Sequence, residues 1–160
     1  MRLIPTFFAL AAAVSAADLP PLRPPATPLI AHDPYFSVWS NANSLNGGPT
    51  RHWTGSEQPL TGWLNVDGTT YSFMGSGQRW ANTIKPLKQT SLRVTLTRTL
   101  YAFEGAGVRL SITFLTPALP HDLDILARPV TYLQWSVQSA DGQPHRVKIY
   151  VDASAALTVD

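Results

Sequence analysis

The sequence predicts an all-β fold, an antiparallel β-sandwich, because three stretches of the chain alternate apolar and polar residues with a period of two. These stretches lie at residues 61–74, 92–116 and 131–152. Successive side chains of a strand point to opposite faces of its sheet, so this period is typical of half-buried strands. Turn-forming residues separate the strands at the spacing expected for hairpins of a sandwich, and hardly any stretch shows a helical period.

The first hairpin, at residues 61–74, has the clearest turn. Asp67-Gly68 is a type I′ turn signal, because both central residues of such a turn need a positive φ. Closing a two-residue loop there predicts three cross-strand pairs: Val66 with Thr69, Leu64 with Tyr71, and Gly62 with Phe73. Under this register the large apolar residues of both strands share one face, as a half-buried hairpin requires.

The second hairpin, at residues 92–116, requires an irregularity near its turn. Its downstream strand places apolar residues at every second position: Val108, Leu110, Ile112 and Phe114. A four-residue loop would put these residues and the apolar residues of the upstream strand on opposite faces. A bulge at Gly105 or Gly107 would correct the phase, so we predict a bulge there. The expected pairs are then Leu100 with Leu110 and Leu96 with Phe114.

The third hairpin is expected at residues 131–152. A five-residue loop at residues 140–144 would pair Trp135 with Ile149 and Leu133 with Val151. The sequence stops at Asp160, soon after this hairpin, so the last strand is expected at an open edge with unpaired backbone groups. We therefore expect a sandwich that is incomplete at its C-terminal edge, and a chain that is the front part of a longer protein.

Three segments are predicted along the chain. Residues 1–17 are typical of a secretory signal peptide, with a positive start, an apolar stretch too short to span a membrane, and small residues before the cleavage site. Residues 18–34 contain six prolines and interleaved leucines, which favours an extended leader docked on the surface of the domain. Residues 35–160 form the truncated β-sandwich N-terminal domain.

The composition excludes several classes of function. The chain has no cysteine, which removes disulfides and thiolate metal sites. Its formal net charge is only +2 and it has no basic run, which argues against a nucleic-acid partner and against electrostatic membrane attachment. We expect a secreted, extracellular protein with no membrane contact after signal cleavage. No phosphate-binding loop or zinc-protease motif is present, so no cofactor and no metal is predicted.

His32 and Asp33 are the first candidate site residues. A His–Asp pair can serve in acid–base catalysis, but no activated nucleophile and no G-x-S-x-G pattern accompanies this one. Asp33 also precedes Pro34, which is a frequent arrangement at turns and strand entries. A structural role is therefore the favoured interpretation of both residues.

The other carboxylates give weaker signals. Glu57 and Glu104 are the two glutamates of the chain, and neither is placed convincingly for the paired carboxyls of a glycosidase. Asp122 and Asp124 could point to one side of an extended segment, but a metal ion would need further ligands and supporting hydrogen bonds. A solvated turn is the favoured interpretation of this segment.

The remaining candidates for a binding role are Trp53, Trp63 and Trp80. Trp63 is expected on the hairpin face opposite Leu64, which would leave its ring outward in an isolated domain. An exposed aromatic ridge on a sandwich could stack on sugar rings, whereas packing inside the protein or against a neighbouring domain is the more frequent outcome. We therefore treat His32, Asp33, Trp53 and Trp63 as candidate contacts to a domain interface or to a ligand.

Four runs of the sequence resemble the N-terminal region of the secreted fungal and bacterial glutaminase A-like family. They are LRPPATPLIAHDPYFSVWS at 22–40, HWTG at 52–55, PLTGWLNVDGTTYSFMG at 59–75 and TFLTPALPHDLDILARPVTYLQW at 113–135. The resemblance implies a large secreted amidohydrolase that converts glutamine to glutamate and ammonia. It also implies that a β-rich N-terminal region precedes a large α-helical toroid in the same polypeptide.

The resemblance carries no catalytic residue over to this sequence. The expected function is thus that of a non-catalytic N-terminal β-domain, whose partner is the α-helical toroid that lies beyond this sequence. The alternative is a secreted carbohydrate-binding β-sandwich module of a glycoside hydrolase-like protein, for which a glycan is the expected partner.

Overall fold

A computed structural model of the chain describes residues 24–75 and 84–158. The predicted signal peptide, the first part of the proline-rich leader and Trp80 lie outside these residues. The strands are β1 Thr27–Ala31, β2 Ser37–Ser40, β3 Leu60–Val66, β4 Thr69–Met74, β5 Lys85–Pro86, β6 Lys88–Val94, β7 Arg98–Gly105, β8 Val108–Leu115, β9 Tyr132–Ser139 and β10 Val147–Ala153. A short helix α1, Leu123–Leu126, and a 3₁₀ helix, Ala155–Leu157, complete the described elements. No helix among the described residues is long and apolar enough to cross a membrane.

Two four-stranded sheets and a two-stranded ribbon form the architecture. The first sheet has the strand order β10-β3-β4-β5 and the second has the order β6-β7-β8-β9. The ribbon pairs β1 with β2. All pairs are antiparallel except β4 with β5, which is parallel. The predicted all-β, sandwich-like fold is confirmed.

The core lies between the two sheets. The rings of Phe73 from β4 and Phe103 from β7 approach to a centroid distance of 6.2 Å, and both residues are fully buried. The ribbon packs on the same core through Leu29 and Val38. In addition, the hydroxyl of Thr99 donates to the Pro28 carbonyl at 2.7 Å and so ties β1 to β7. Burial of these apolar side chains supplies most of the driving force for the fold.

The β3–β4 hairpin largely follows its prediction. Asp67 and Gly68 both have positive φ, at 50° and 90°, so the predicted turn is confirmed. The pairs Val66 with Thr69 and Leu64 with Tyr71 are also confirmed. The predicted pair of Gly62 with Phe73 is wrong, because the register shifts and places Gly62 opposite Met74. The Phe73 ring lies where a side chain at position 62 would be, and the bulge accommodates it.

The register predicted for residues 92–116 is wrong. The chain bends between β6 and β7, and β7 joins β8 through a plain two-residue turn in which Ala106 and Gly107 have φ of 52° and 75°. Phe103 therefore faces Leu110, whereas Leu100 faces Thr113. Tyr101 and Phe103 bury larger apolar surfaces than the leucines that sequence reasoning placed in the core, so the aromatic residues determine the phase of the strand.

The position of Leu96 differs most from the predicted register. It was expected opposite Phe114, but it lies in the bend between β6 and β7 and is fully exposed. Phe114 faces Thr99 instead. No bulge is present in the β7–β8 pair; the register shift of this sheet lies in the β6–β7 pair, between Gln89 and Ser91.

The third predicted hairpin does not exist as a strand pair. Trp135 of β9 faces Ile112 of β8, and Ile149 of β10 faces Leu64 of β3. The connection at residues 140–146 crosses from one sheet to the other, so β9 and β10 each extend a different sheet. The expected pairs of Trp135 with Ile149 and of Leu133 with Val151 are therefore wrong, although the alternation that identified both strands is correct.

The described part of the leader packs on the domain. Residues 27–31 form β1, and Leu29 within it is 3% exposed. Ile30 packs against the core from the same strand. The boundaries proposed for the leader and for the domain stay predictions.

Candidate functional site

A shallow cavity of about 320 Å³ lies beside the β1–β2 ribbon. It is lined by Ala31, His32, Asp33, Pro34, Ser37, Trp39 and Trp53. The ribbon supplies one wall through the bend that joins its strands, and the loop after β2 supplies the other wall through Trp53. The cavity thus brings together three of the four residues singled out from the sequence. Trp63 is not among its lining residues.

Asp33 shapes the bend between β1 and β2. Its Oδ1 atom accepts the backbone N–H of Tyr35 at 2.7 Å and that of Phe36 at 2.9 Å. An aspartate that accepts backbone donors two and three residues ahead closes a local turn. This carboxylate therefore acts as a backbone acceptor, in agreement with the structural role favoured from the sequence.

His32 is held by contacts on both sides of its ring. Its Nε2 atom lies 3.2 Å from the hydroxyl of Thr131, and its ring stacks on Phe36 with centroids 5.3 Å apart. Burial lowers the pKa of His32 below its usual value, and the nearby charge of Asp33 opposes that shift only in part. The imidazole is therefore neutral at pH 7.

Trp53 is an exposed ring in a fixed position. It is 63% exposed, yet its Nε1–H donates to the Pro34 carbonyl at 2.6 Å. The neighbouring His52 lies with Nε2 at 2.9 Å from the same carbonyl and Nδ1 at 2.8 Å from the Thr54 hydroxyl. Because a carbonyl only accepts, the proton of His52 lies on Nε2. Two donors therefore anchor this loop to the bend of the ribbon.

Two polar atoms beside the cavity lack partners. The hydroxyl of Ser37 and the Nε1–H of Trp39 are buried and make no hydrogen bond to any residue that the structure describes. Ser37 is only 4% exposed. Buried polar groups in proteins are nearly always paired, so each of these atoms needs an explanation. Sequence reasoning missed both residues as site candidates, because their spacing in β2 indicates only a strand.

Trp63 lies on the outer face of the first sheet. It stacks on Tyr150 of β10 with centroids 5.1 Å apart, which leaves it half-buried rather than exposed. Tyr150 in turn donates from its hydroxyl to Asp152 at 3.0 Å. Trp63 therefore packs against its own domain.

The remaining candidate carboxylates serve local structure. Glu57 pairs with Arg51 at 2.6 Å, and Glu104 pairs with Arg109 at 3.2 Å. Asp122 caps α1 by accepting the backbone N–H of Ile125 at 3.0 Å; the segment is exposed as expected, but it forms a short helix rather than a turn or an extended segment. Within residues 24–75 and 84–158, no group of three or more histidine, cysteine, aspartate or glutamate residues is arranged to hold a metal ion.

Comparison with known proteins places the chain in a sequence family. Residues 9–86 match a family described as Domain of unknown function (DUF4964), and residues 97–160 match Domain of unknown function (DUF5127). The chain is 36% identical over 150 residues, 88% of its length, to "Glutaminase A" from Aspergillus oryzae. The predicted resemblance to the glutaminase A-like family is confirmed.

The match covers only a small part of the Aspergillus relative. It spans 21% of the relative's length, although it covers most of the present chain. No solved structure matches the chain significantly. The β-rich fold described above therefore belongs to a glutaminase A-like region. This region is about one fifth as long as the relative.

Proposed function

We propose that this chain is the non-catalytic N-terminal β-domain of a secreted glutaminase A-like amidohydrolase, and that it packs against the rest of that polypeptide. The observation that carries the proposal is a set of apolar side chains that face the inter-sheet core yet stay uncovered. They lie on β9 and β10, the outermost strands at one side of the two described sheets. The family match supports the proposal that the larger protein is glutaminase A-like.

Trp135 and Val151 define this open side. Trp135 pairs with the fully buried Ile112, so it projects toward the core face of its sheet, but it is 53% exposed. Val151 pairs with the buried Gly62 and is 42% exposed. Side chains that point inward are covered in a complete sandwich, and large apolar surfaces left open mark interaction sites.

The backbone of the same two strands supports a packed neighbour. Among the described strands, β9 pairs only with β8, and β10 pairs only with β3. Each therefore presents a row of unpaired N–H and C=O groups along its other side, which favours pairing with further strands. The relative is several times longer than the matched region, so additional chain of the same polypeptide is the occupant that we propose.

A second apolar region extends the contact surface. Leu96, Leu123 and Leu126 are fully or largely exposed around the bend after β6 and on α1. None of the four residues of α1 is buried, so this helix gains little from its present contacts. We propose that it too lies against the rest of the polypeptide.

The first test compares the 160-residue chain with the longer polypeptide for release of ammonia from glutamine. We expect activity from the longer polypeptide and none from the chain alone. Ammonia release by the chain alone, above that of a heat-denatured sample, would overturn the proposed non-catalytic role.

The second test is a matched pair of substitutions in the longer polypeptide. Trp135→Ser removes an inward-facing ring of β9, whereas Tyr132→Ser removes an equally exposed ring from its outer face. We expect Trp135→Ser to lower the melting temperature by several degrees and Tyr132→Ser to leave it nearly unchanged. Equal effects of the two substitutions would contradict the proposed docking side.

A further inference from the structure

The geometry points to a saccharide-binding site in the cavity beside the β1–β2 ribbon, with Trp53 as the stacking platform and Ser37 and Trp39 as hydrogen-bond donors. The inference does not depend on the proposed function, because none of the side chains proposed to face the rest of the polypeptide lines this cavity. It accounts for two observations at this cavity: an exposed indole held by a hydrogen bond, and two buried donors that have no partner among the residues the structure describes.

The position of Trp53 suits a stacking platform. An aromatic ring binds the apolar face of a sugar well when the ring is already held in place, since less side-chain freedom is lost on binding. The bond from Trp53 Nε1 to the Pro34 carbonyl fixes the ring, and His52 packs against it with centroids 5.5 Å apart. An exposed tryptophan of no function would gain little from such an anchor.

The unpartnered donors suit the hydroxyl groups of a sugar. The hydroxyl of Ser37 and the indole N–H of Trp39 belong to residues that line the cavity. Both can donate, and sugar hydroxyl oxygens accept readily. A ligand that satisfied both atoms would relieve the cost of burying them without a partner, whereas an apolar ligand would leave that cost in place.

The charge of the cavity disfavours an anionic ligand. None of its described lining residues is lysine or arginine, and His32 is neutral at pH 7 because burial lowers its pKa. The carboxylate of Asp33 accepts two backbone N–H groups and remains the local negative charge. An anionic ligand would meet that charge without a cation to balance it. A cavity of about 320 Å³ lies in the range of small-molecule sites.

The test measures binding of four neutral hexasaccharides to the full 160-residue chain by titration calorimetry: cellohexaose, xylohexaose, mannohexaose and hexa-N-acetylchitohexaose. We expect at least one to bind, and Trp53→Ala to weaken that binding about tenfold or more, which corresponds to a loss of the main stacking contact. Tyr132→Ala is the matched control, because Tyr132 is a similarly exposed aromatic residue on β9. We expect its affinity to equal that of the unsubstituted chain.

Ser37→Ala separates binding from folding. Removal of an unpaired buried hydroxyl is expected to preserve or raise the melting temperature of the free protein, while it weakens saccharide binding. A purely structural role of Ser37 would instead lower the melting temperature. The inference is overturned if none of the four hexasaccharides binds, if Trp53→Ala leaves the affinity unchanged, or if Tyr132→Ala weakens binding as strongly as Trp53→Ala does.

Discussion

The Nδ1 atom of His145 lies 2.6 Å from Oδ2 of Asp67, and this contact joins the β3–β4 turn to the connection that crosses between the sheets. The other ring nitrogen of His145 lies 3.1 Å from Asp141. Asp67 also accepts the backbone N–H of Arg146 at 2.9 Å. One imidazole therefore bridges two carboxylates at the end of the sandwich where the chain passes from one sheet to the other.

The first prediction is a pH dependence of stability. The hydrogen bonds that His145 donates to Asp67 and, second, to Asp141 raise the pKa of His145. Its contribution to stability is therefore complete below its unfolded pKa of about 6.5 and is lost as the pH rises through the higher folded pKa. We expect the melting temperature to fall as the pH increases from about 6 to 8. The measurement is a series of thermal melts, with His145→Gln as the control that should lack most of this fall.

The same bridge predicts a loss of stability in acid. The Gln143 backbone N–H and then His145 lower the pKa of Asp141 to about 2, and the hydrogen bond to His145 is the main reason that the pKa of Asp67 is lowered. Both carboxylates therefore contribute above their unfolded values of about 4, and that contribution fades as the pH falls below them. Asp141→Asn should flatten the acid side of the melting profile; an unchanged profile would contradict the bridge.

A second prediction concerns Gly62. A Cβ at this position would meet the ring of Phe73, which is fully buried and cannot move freely. We expect Gly62→Ala to destabilise the protein by about 1–3 kcal/mol through overpacking. Gly48→Ala is the control, because its Cβ would make only an ordinary contact at 3.5 Å. Urea denaturation measures both, and similar values for the two variants would contradict the close approach.

The third prediction concerns the buried hydroxyl of Thr50. It is fully buried, and its hydroxyl donates to the Gln58 carbonyl and accepts the Leu60 N–H, both at 2.7 Å. Thr50→Val keeps the shape but leaves both backbone groups unsatisfied, so we expect a loss of about 1–3 kcal/mol. The exposed Thr95, whose hydroxyl also donates to a carbonyl, is the matched position. Thr95→Val should cost less than about 0.5 kcal/mol in the same denaturation assay.

The fourth prediction concerns the attachment of the ribbon. Thr99 reaches from β7 to the Pro28 carbonyl, so Thr99→Val should loosen β1 without unfolding the sheets. Hydrogen exchange should then become faster at the amides of residues 29–31 and stay slow in β8. Thr113→Val, on the outer face of β8, should leave the ribbon unchanged. Faster exchange throughout the chain in Thr99→Val would show that the contact supports the whole domain instead.

Local chemistry made the β3–β4 hairpin predictable. Asp67-Gly68 determines both the turn and the register next to it, and this information lies within a few residues. The bulge at Gly62 was not predictable, because it depends on where the Phe73 ring comes to rest in the core. The placement of the other strands depends on partners far away in the sequence. Alternation identified β9 and β10 as strands, but it carries no information on which sheet each one joins.

The candidate site likewise combines residues that the sequence could identify with residues that only the packed structure could identify. His32, Asp33 and Trp53 stood out as residue types in an unusual run, and the structure gathers them around one cavity. Ser37 and Trp39 became candidates only through their missing partners, which depend on every residue packed around them. Trp63 was expected outward, and it does lie on the outer face, but Tyr150 from a distant strand covers its ring.

The pairing of β10 with β3 has a consequence for biosynthesis. The first sheet needs β10, which follows all four strands of the second sheet in the sequence, so it cannot close until residues 147–153 have been synthesised. Until then β3 presents an open backbone edge, which is prone to aggregation. Pairing of strands that lie far apart in the sequence is also slow. The meander β6–β9, built from neighbours in the sequence, can assemble first and serve as the template on which the late sheet forms.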